Sequence, residues 1–225
     1  MSRSSTFSAA EAQAIISQLL ASAGLATTGA ARDQLAAFLQ LLLRWSKRIN
    51  LTGYRDPCRA AEGLLGDALP LVSRLGDANC VLDVGAGAGG MAAALAVLCP
   101  HLSLRLLEPR GKRAAFLRAL RRELNLPRER FEIMEQRGEV LAQEPPWADV
   151  AYAQAVMAPL PWLALGRRLV VPGGRVVCLS AEPLPACEWE DQGVTVAEVV
   201  QYRLPTSGLP RTVTFLGLPP FSNAG

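Results

Sequence analysis

The sequence predicts an α/β protein built on a mostly parallel, doubly wound sheet. From residue 80 onward, short apolar segments alternate with helical ones, which is typical of parallel strands joined by crossover helices. The first apolar segment runs directly into the glycine-rich stretch Gly85–Gly90, and a helix is expected to follow it. Two valine-rich segments near the end of the chain have no convincing helix between them, so an antiparallel pair is expected there.

A helical extension, residues 1–75, is predicted ahead of the sheet domain, residues 76–225. Ser8 and Glu11 fit the capping box that begins many helices. A second helix is expected from Arg32 to Asn50, because its apolar residues recur at helical spacing. A third, weaker helical segment covers Ala60 to Leu75.

The sheet domain follows in regular order. The predicted strands are Val81–Val84, Leu102–Leu107, Phe131–Met134, Asp149–Ala153, Arg175–Leu179, Val194–Tyr202 and Thr212–Leu216. The predicted helices run from the glycines to about Cys99, from Gly111 to Leu124, and from Leu160 to Val170. The fifth strand is expected to begin after a turn at Pro172, Gly173 and Gly174.

The composition restricts the class of protein. Half of the 225 residues are hydrophobic, 19% are charged and the net charge is +3, which excludes a disordered or fibrous protein. The five cysteines have no metal-ligand spacing, so we expect free thiols, no metal and a cytoplasmic protein. The uncharged stretch from Val84 to Leu104 contains several glycines and Pro100, so no membrane span is expected.

The glycine-rich loop has acidic neighbours. Gly85, Gly87 and Gly90 fit the pattern G-x-G-x-x-G, which taken alone is a weak sign of a dinucleotide site. Asp83 lies two residues before the loop, where a nicotinamide-binding strand normally has an apolar side chain. Glu108 closes the next strand, where a carboxylate can accept hydrogen bonds from ribose hydroxyls.

This acidic rim resembles the S-adenosylmethionine site of Rossmann-like methyltransferases. That ligand has a positively charged sulfur and no pyrophosphate, so carboxylates suit it better than a basic rim does. Each carboxylate also has a structural interpretation. Asp83 would then cap the following turn, and Glu108 would be a solvated strand end paired with Arg110.

Four segments carry a more specific resemblance. They are LRWSKRINLTGYRDP at residues 43–57, LDVGAGAG at 82–89, GKRAAFL at 111–117 and RGE at 137–139. In order and spacing they resemble the bacterial small-subunit (16S) ribosomal RNA guanine-N-7 methyltransferase family, also called the glucose-inhibited division protein B family. The resemblance implies a Rossmann-like class I methyltransferase fold, S-adenosyl-L-methionine as cofactor, and small-subunit ribosomal RNA or its assembling particle as partner.

The resemblance also implies cofactor contacts at several positions. Together with the acidic rim, the predicted cofactor-binding residues are Asp83, Gly85, Gly87, Gly90, Glu108, Gly138, Glu139 and Gln154. The chain departs from the family at positions that are usually cationic: Gln154 replaces an arginine, Gly63 and Leu64 replace an arginine-histidine pair, and Ser180 replaces a lysine. We therefore expect slow methyl transfer.

Basic residues in two segments are candidate RNA contacts. They are Arg44, Lys47 and Arg48 in the last turns of the second predicted helix, and Arg118, Arg121 and Arg122 in the predicted helix from residue 111. The alternative is that they are solvated surface, or that the first group interacts with the negative end of its helix.

No catalytic side chain is predicted, because the lone pair of guanine N-7 can attack a methyl carbon without proton transfer. The enzyme has only to hold the reacting atoms in line. The missing His-Asp or Cys-His constellation therefore counts against a hydrolase and not against a methyltransferase. Three alternatives stay open: a relative with another acceptor, a decayed cofactor-binding protein, and a dinucleotide-dependent oxidoreductase. A monomer is expected.

Overall fold

Residues 7–219 are described by a computed structural model. The strands are β1 (Cys80–Val84), β2 (Ser103–Leu107), β3 (Phe131–Met134), β4 (Ala148–Ala153), β5 (Val170–Ser180), β6 (Thr195–Arg203) and β7 (Pro210–Gly217). They form one sheet in the order β3-β2-β1-β4-β5-β7-β6. All neighbouring pairs are parallel except those of β7, which runs antiparallel to both β5 and β6. The predicted fold class is confirmed.

Nine α-helices lie within the described residues. They are α1 (Ala9–Ser22), α2 (Gly29–Ser46), α3 (Pro57–Leu65), α4 (Leu69–Val72), α5 (Gly90–Leu98), α6 (Gly111–Glu123), α7 (Gly138–Leu141), α8 (Pro159–Gly166) and α9 (Ala186–Glu190). The short helices α7 and α9 have no counterpart in the sequence prediction.

The N-terminal helices begin at side-chain caps. The Ser8 hydroxyl accepts from the Glu11 amide, and the Glu11 carboxylate accepts from the Ser8 amide at 2.7 Å, so the predicted capping box is present. Helix α2 begins after Thr28, whose hydroxyl accepts from the Ala31 amide at 3.2 Å. It ends at Ser46, four residues before the predicted end, so Lys47 and Arg48 follow the helix.

The helix predicted from Ala60 to Leu75 is instead divided into three pieces. A 3₁₀ turn at Gly66–Ala68 separates α3 from α4. Pro70 lies in the first turn of α4, where its missing amide hydrogen costs nothing. Its ring would interrupt a continuous helix through this position, which explains the break.

The start of β5 also differs from the prediction. The strand already begins at Val170, so the predicted helix to Val170 ends four residues earlier, at Gly166. The predicted turn at residues 172–174 is an irregularity within β5, because Ala148 of β4 pairs with Val170 while Val150 pairs with Arg175. Gly173 adopts a positive φ of 78° at this point, which glycine tolerates.

Helices cover both faces of the sheet. Helices α5 and α6 pack on one face and α8 on the other, each with its own apolar core. The N-terminal helices add a further layer on α5 and α6: the rings of Trp45 and Phe116 meet edge to face at 5.6 Å, and Gln34 Nε2 donates to the Leu124 carbonyl. The residues of the predicted extension thus share one core with the sheet domain.

The turn between β6 and β7 is tied to helix α3 by one carboxylate. Glu62 is only 2% exposed, and its Oε1 accepts from the backbone amides of Thr206 and Ser207. Two backbone donors satisfy a buried charge well. The hairpin is therefore held over α3 and over the 3₁₀ turn that follows it.

Two further expectations concern the cysteines and membrane-spanning helices. All five cysteines are free thiols. Within residues 7–219, no helix is both long enough and apolar enough to cross a membrane.

Candidate functional site

A cavity of about 610 Å³ opens at the edge of the sheet where the parallel strands end. It lies where the order of the strands reverses: β2 and β3 are added on one side of β1, and β4 and β5 are added on the other. Such a switch point is where open α/β sheets bind ligands. Strand β7 runs the other way, so its first residues reach this same edge: Thr212 pairs with Ser180 at the end of β5.

The glycine-rich loop forms one wall of the cavity. Gly85, Gly87 and Gly89 all adopt left-handed backbone conformations, with φ of 75°, 56° and 63°. The amides of Gly85 and Ala86 donate to the Leu107 carbonyl at 2.9 Å, which ties the loop to the end of β2. A side chain at Gly85 would also collide with Val156, whose Cγ2 would lie 2.6 Å from the new Cβ.

Glu108 lies beneath this loop and is only 3% exposed. Its carboxylate accepts from the amides of Gly87 and Arg110, each at 2.9 Å, and Arg113 Nη1 lies 4.0 Å away. The structural alternative of a solvated strand end paired with the Arg110 side chain is therefore wrong, because Arg110 contributes its amide and the carboxylate is buried. A carboxylate has about four lone-pair sites, so acceptor capacity remains for ligand hydroxyls.

Asp83 is a second buried carboxyl group in the same wall. The Tyr152 hydroxyl donates to its Oδ2 at 3.0 Å, and no turn amide within the described residues caps it. The pKa of Asp83 is raised from 3.8 to about 7: burial is the main cause, the Tyr152 hydrogen bond opposes it, and the nearby Glu108 charge adds to the rise. Such a carboxyl in a cleft is a candidate for ligand binding.

Gln154 also lines the cavity and belongs to a network centred on Asp67. Its Nε2 donates to Asp67 Oδ2 at 2.7 Å and to the Gly63 carbonyl at 3.2 Å. The Tyr202 hydroxyl donates to Asp67 Oδ1 at 2.6 Å, and Arg211 Nε lies 3.5 Å from the same oxygen. Asp67 is 4% exposed, so these partners hold a buried charge.

Tyr54 fills the space above Gly63. A Cβ at Gly63 would overlap the Tyr54 ring, which lines the cavity. Tyr54, Tyr202 and Arg211 were not predicted as site residues. Tyr202 and Arg211 come from the last two strands, and their positions in the sequence do not indicate that they meet Asp67.

The predicted cofactor residues separate into two groups. Six of them line the cavity: Asp83, Gly85, Gly87, Gly90, Glu108 and Gln154. Gly138 and Glu139 do not, since Gly138 is buried against Val84 and Leu165 at the start of α7, and Glu139 is exposed. Contact of Gly138 and Glu139 with a cofactor stays a prediction.

None of the predicted RNA-binding residues is among those that line the cavity. Arg44 of α2 pairs with Glu123 of α6 at 3.2 Å, which brings the two basic segments together. Arg121 and Arg122 occupy the last turn of α6, a helix of 13 residues that spans about 20 Å. The α6 residue that lines the cavity is Arg113, at the other end of this helix. Arg118 is paired with Glu135.

Other candidate groups take no part in the cavity. His101 is exposed, and Trp45, Trp147 and Trp162, whose rings could in principle stack on a base, are not among the lining residues. Among residues 7–219, no three histidine, cysteine or acidic residues are grouped so that they could hold a metal ion.

The chain is similar in sequence to proteins of one family. A family model described as GidB, rRNA small subunit methyltransferase G, matches residues 31–213. The "Ribosomal RNA small subunit methyltransferase G" of Anaeromyxobacter sp. (strain Fw109-5) is 31% identical over 204 residues, which are 89% of this chain and 94% of that protein. The protein of the same name from Myxococcus xanthus (strain DK1622) is 33% identical over 184 residues, 80% of this chain and 85% of the relative.

One solved structure shows the likeness of fold. The S-adenosylmethionine-dependent methyltransferase SibL in its apo form has a TM-score of 0.52 and 19% identity, over 84% of this chain and 76% of that one.

Proposed function

The chain belongs to the rRNA small subunit methyltransferase G family, and we propose that it transfers a methyl group from S-adenosyl-L-methionine to N-7 of a guanine in small-subunit ribosomal RNA. The observation that carries this proposal is the cavity at the switch point of a family member, with two buried carboxylates beside a left-handed glycine loop. The glycine loop alone also fits a dinucleotide-dependent oxidoreductase, but family membership favours methyl transfer.

The residues of the loop wall fit the proposed cofactor. S-adenosylmethionine supplies an electrophilic methyl group on a positively charged sulfur. Asp83 and Glu108 provide carboxylates on this wall, and the cavity volume of about 610 Å³ lies within the range of small-molecule sites. We propose that Glu108 accepts from the ribose hydroxyls and that Asp83 places negative charge near the cationic end of the ligand.

For methyl transfer to guanine N-7, the protein has mainly to position the two reactants. Guanine N-7 carries its own lone pair, so no side chain has to remove a proton. The walls must hold the nucleophile and the methyl carbon in line at about 3 Å and exclude water from between them. Gln154 follows the last residue of β4 and lines the cavity beside Asp67. It was predicted to bind the cofactor, and we propose that it contacts the acceptor base instead.

The decisive test is methyl transfer itself. Radiolabelled methyl transfer is measured on small-subunit particles and on their naked RNA, and the labelled base is identified as N-7-methylguanine. We expect slow but measurable transfer to one of the two substrates. If S-adenosylmethionine binds but neither substrate is methylated, the protein is a decayed or re-targeted relative and the proposed acceptor is wrong.

Gln154→Arg is expected to increase kcat/KM for this transfer several-fold. An arginine would add charge-assisted hydrogen bonds, which are about twice as strong as neutral ones. Asp67 Oδ2, 2.7 Å from Gln154 Nε2, offers the new cation a partner. Gln154→Ala is the control, since it removes the hydrogen bond to Asp67 without adding charge, and it should lower kcat/KM. An equal rate for all three proteins would remove Gln154 from the acceptor site.

RNA affinity should depend steeply on salt, because neutralised phosphates release counterions. Substitution of Arg121 and Arg122 with glutamine should reduce the slope of log K against log salt by up to about 0.7–0.9 for each phosphate that these arginines neutralise. Arg118→Gln should have a smaller effect, because Arg118 is already paired with Glu135. Identical slopes for wild type and the double variant would make these arginines ordinary solvated surface.

We also propose that the protein works as a cytoplasmic monomer, with residues 1–75 as an extension of the methyltransferase domain at 76–225. The support for this division is that strands begin only at Cys80, after four helices. The Trp45–Phe116 contact indicates that the extension is not independent of the sheet domain.

A further inference from the structure

The cavity has two chemically distinct halves. The loop half is lined by Asp83, Gly85, Gly87, Glu108 and Arg113, and it belongs to the proposed cofactor. The acceptor half lies beyond the ends of β4 and β5 and is lined by Tyr54, Gly63, Asp67, Gln154 and Arg211.

The cations of the cavity are divided unevenly between these halves. Three arginines line it: Arg110, Arg113 and Arg211. The first two lie beside Glu108, which accepts from the Arg110 amide and has the Arg113 guanidinium at 4.0 Å. Among the cavity-lining residues, Arg211 is therefore the cation of the acceptor half.

Contacts within the described part of the protein hold Arg211 in position but leave some of its hydrogen-bond donors unbonded. Its Nε lies 3.5 Å from Asp67 Oδ1, and its Nη1 donates to the Pro210 carbonyl at 3.1 Å. Its Nη2 makes no hydrogen bond to any of residues 7–219, and the side chain is 24% exposed. The long ion pair balances the buried charge of Asp67 while donors of the guanidinium remain for a ligand.

Asp67 is itself held firmly, so it can orient the arginine. Tyr202 and Gln154 donate to its two oxygens at 2.6 and 2.7 Å, from β6 and from the end of β4. Glu62 fixes the hairpin from which Arg211 projects, through the amides of Thr206 and Ser207. The position of Arg211 thus depends on residues of α3 and the 3₁₀ turn, of the end of β4, and of the β6–β7 hairpin.

We propose that Arg211 binds a phosphate group of the RNA acceptor at the mouth of the cavity. The proposal rests on the proposed function and identifies the group that holds the acceptor. A guanidinium matches phosphate with two parallel hydrogen bonds. Arginine also commonly reads guanine through O-6 and N-7, but a hydrogen bond to N-7 would occupy the lone pair that must attack the methyl carbon. The phosphate is therefore the partner compatible with the chemistry.

The test compares Arg211→Gln with Arg211→Lys, and Arg203→Gln serves as the control. Arg203 is a neighbour in the adjacent strand, paired in register with Pro210, but it does not line this cavity. For Arg211→Gln we expect KM for the RNA substrate to rise about tenfold with kcat nearly unchanged, as for loss of uniform binding. We also expect the salt slope of RNA binding to fall by about 0.7, the contribution of one single-strand phosphate.

Arg211→Lys keeps a positive charge opposite Asp67, so the buried carboxylate is still balanced. This variant therefore separates the loss of a phosphate contact from a folding defect. It should retain the wild-type salt slope and melting temperature while KM rises several-fold, because an ammonium cannot make the paired hydrogen bonds. S-adenosylmethionine affinity, measured by calorimetry, should be the same in every variant. A wild-type KM and salt slope in Arg211→Gln, or a loss of cofactor binding in Arg211→Lys, would overturn the inference. Absence of transfer by the wild type would instead overturn the proposed function.

Discussion

Gly90→Ala is expected to lower the free energy of unfolding by about 2–3 kcal/mol, as overpacking at a close approach commonly does. Gly90 is the first residue of α5, and a Cβ there would overlap the Leu64 carbonyl oxygen and lie 2.6 Å from Leu64 Cβ. The obstacle is mainly backbone, so it cannot rotate away as a flexible side chain can. Helix α5 would have to separate from α3, and the urea midpoint should fall accordingly.

Gly111→Ala is the matched control for this prediction. Gly111 is also the first residue of a helix that follows a strand end, but its added Cβ would meet only Glu135 Oε2, at an ordinary 3.5 Å. Its free energy of unfolding should therefore stay within about 0.5 kcal/mol of wild type. Equal midpoints for the two variants would show that the close approach of α5 to Leu64 carries no energetic consequence.

Asp83→Asn is expected to stabilise the ligand-free protein at pH 8 and to weaken S-adenosylmethionine binding at least about tenfold, because a charge-assisted interaction is removed. The pKa of Asp83 is raised from 3.8 to about 7, so the folded protein binds this proton more tightly than the unfolded chain does. The contribution to stability is therefore fully present below about pH 4 and is lost as the pH rises through about 7. The full shift in pKa, from 3.8 to about 7, corresponds to a change in the free energy of unfolding of at most about 4 kcal/mol.

The measurement is the melting temperature of variant and wild type between pH 4 and pH 8. The two should be nearly equal at pH 4, and the variant should become the more stable protein as the pH rises. Asparagine can still accept from the Tyr152 hydroxyl, so the hydrogen bond at 3.0 Å is retained. Asp77→Asn, at an exposed position, should show no such trend. A difference that does not depend on pH would contradict the raised pKa.

Calorimetry at pH 8 tests the second half of the Asp83 prediction. Wild-type protein should bind S-adenosylmethionine or its demethylated product and should not respond to nicotinamide dinucleotides. Unchanged affinity in Asp83→Asn would remove Asp83 from the cofactor site. Tight dinucleotide binding by the wild type would restore the oxidoreductase alternative.

The parts of the fold that local patterns determine are predictable from the sequence. Strand β3 matches its predicted bounds, and β1 begins one residue earlier than predicted, at Cys80. The glycine loop and Glu108 could be placed in one site because adjacent parallel strands end at the same edge of a sheet. The predicted antiparallel pair is present in β6 and β7.

The remaining features depend on contacts that a local pattern does not contain. The division of the third helix depends on Pro70, and the early start of β5 depends on pairing of Val170 with Ala148. The acceptor half depends on still longer distances in sequence. Tyr202 and Asp67 are separated by 135 residues, and neither shows by its neighbours that the other will be its partner.

The Asp67 network has a consequence for how the protein is made. Ribosomes add about 5–20 residues per second, so Tyr202 is synthesised on the order of 10 s after Asp67. The interval between the synthesis of Glu62 and that of Thr206 is slightly longer, because they are 144 residues apart. Burying either carboxylate before its donors exist would be costly. The hydrogen bonds to Asp67 and Glu62, and with them this part of the cavity, are therefore completed only after the final hairpin has left the ribosome.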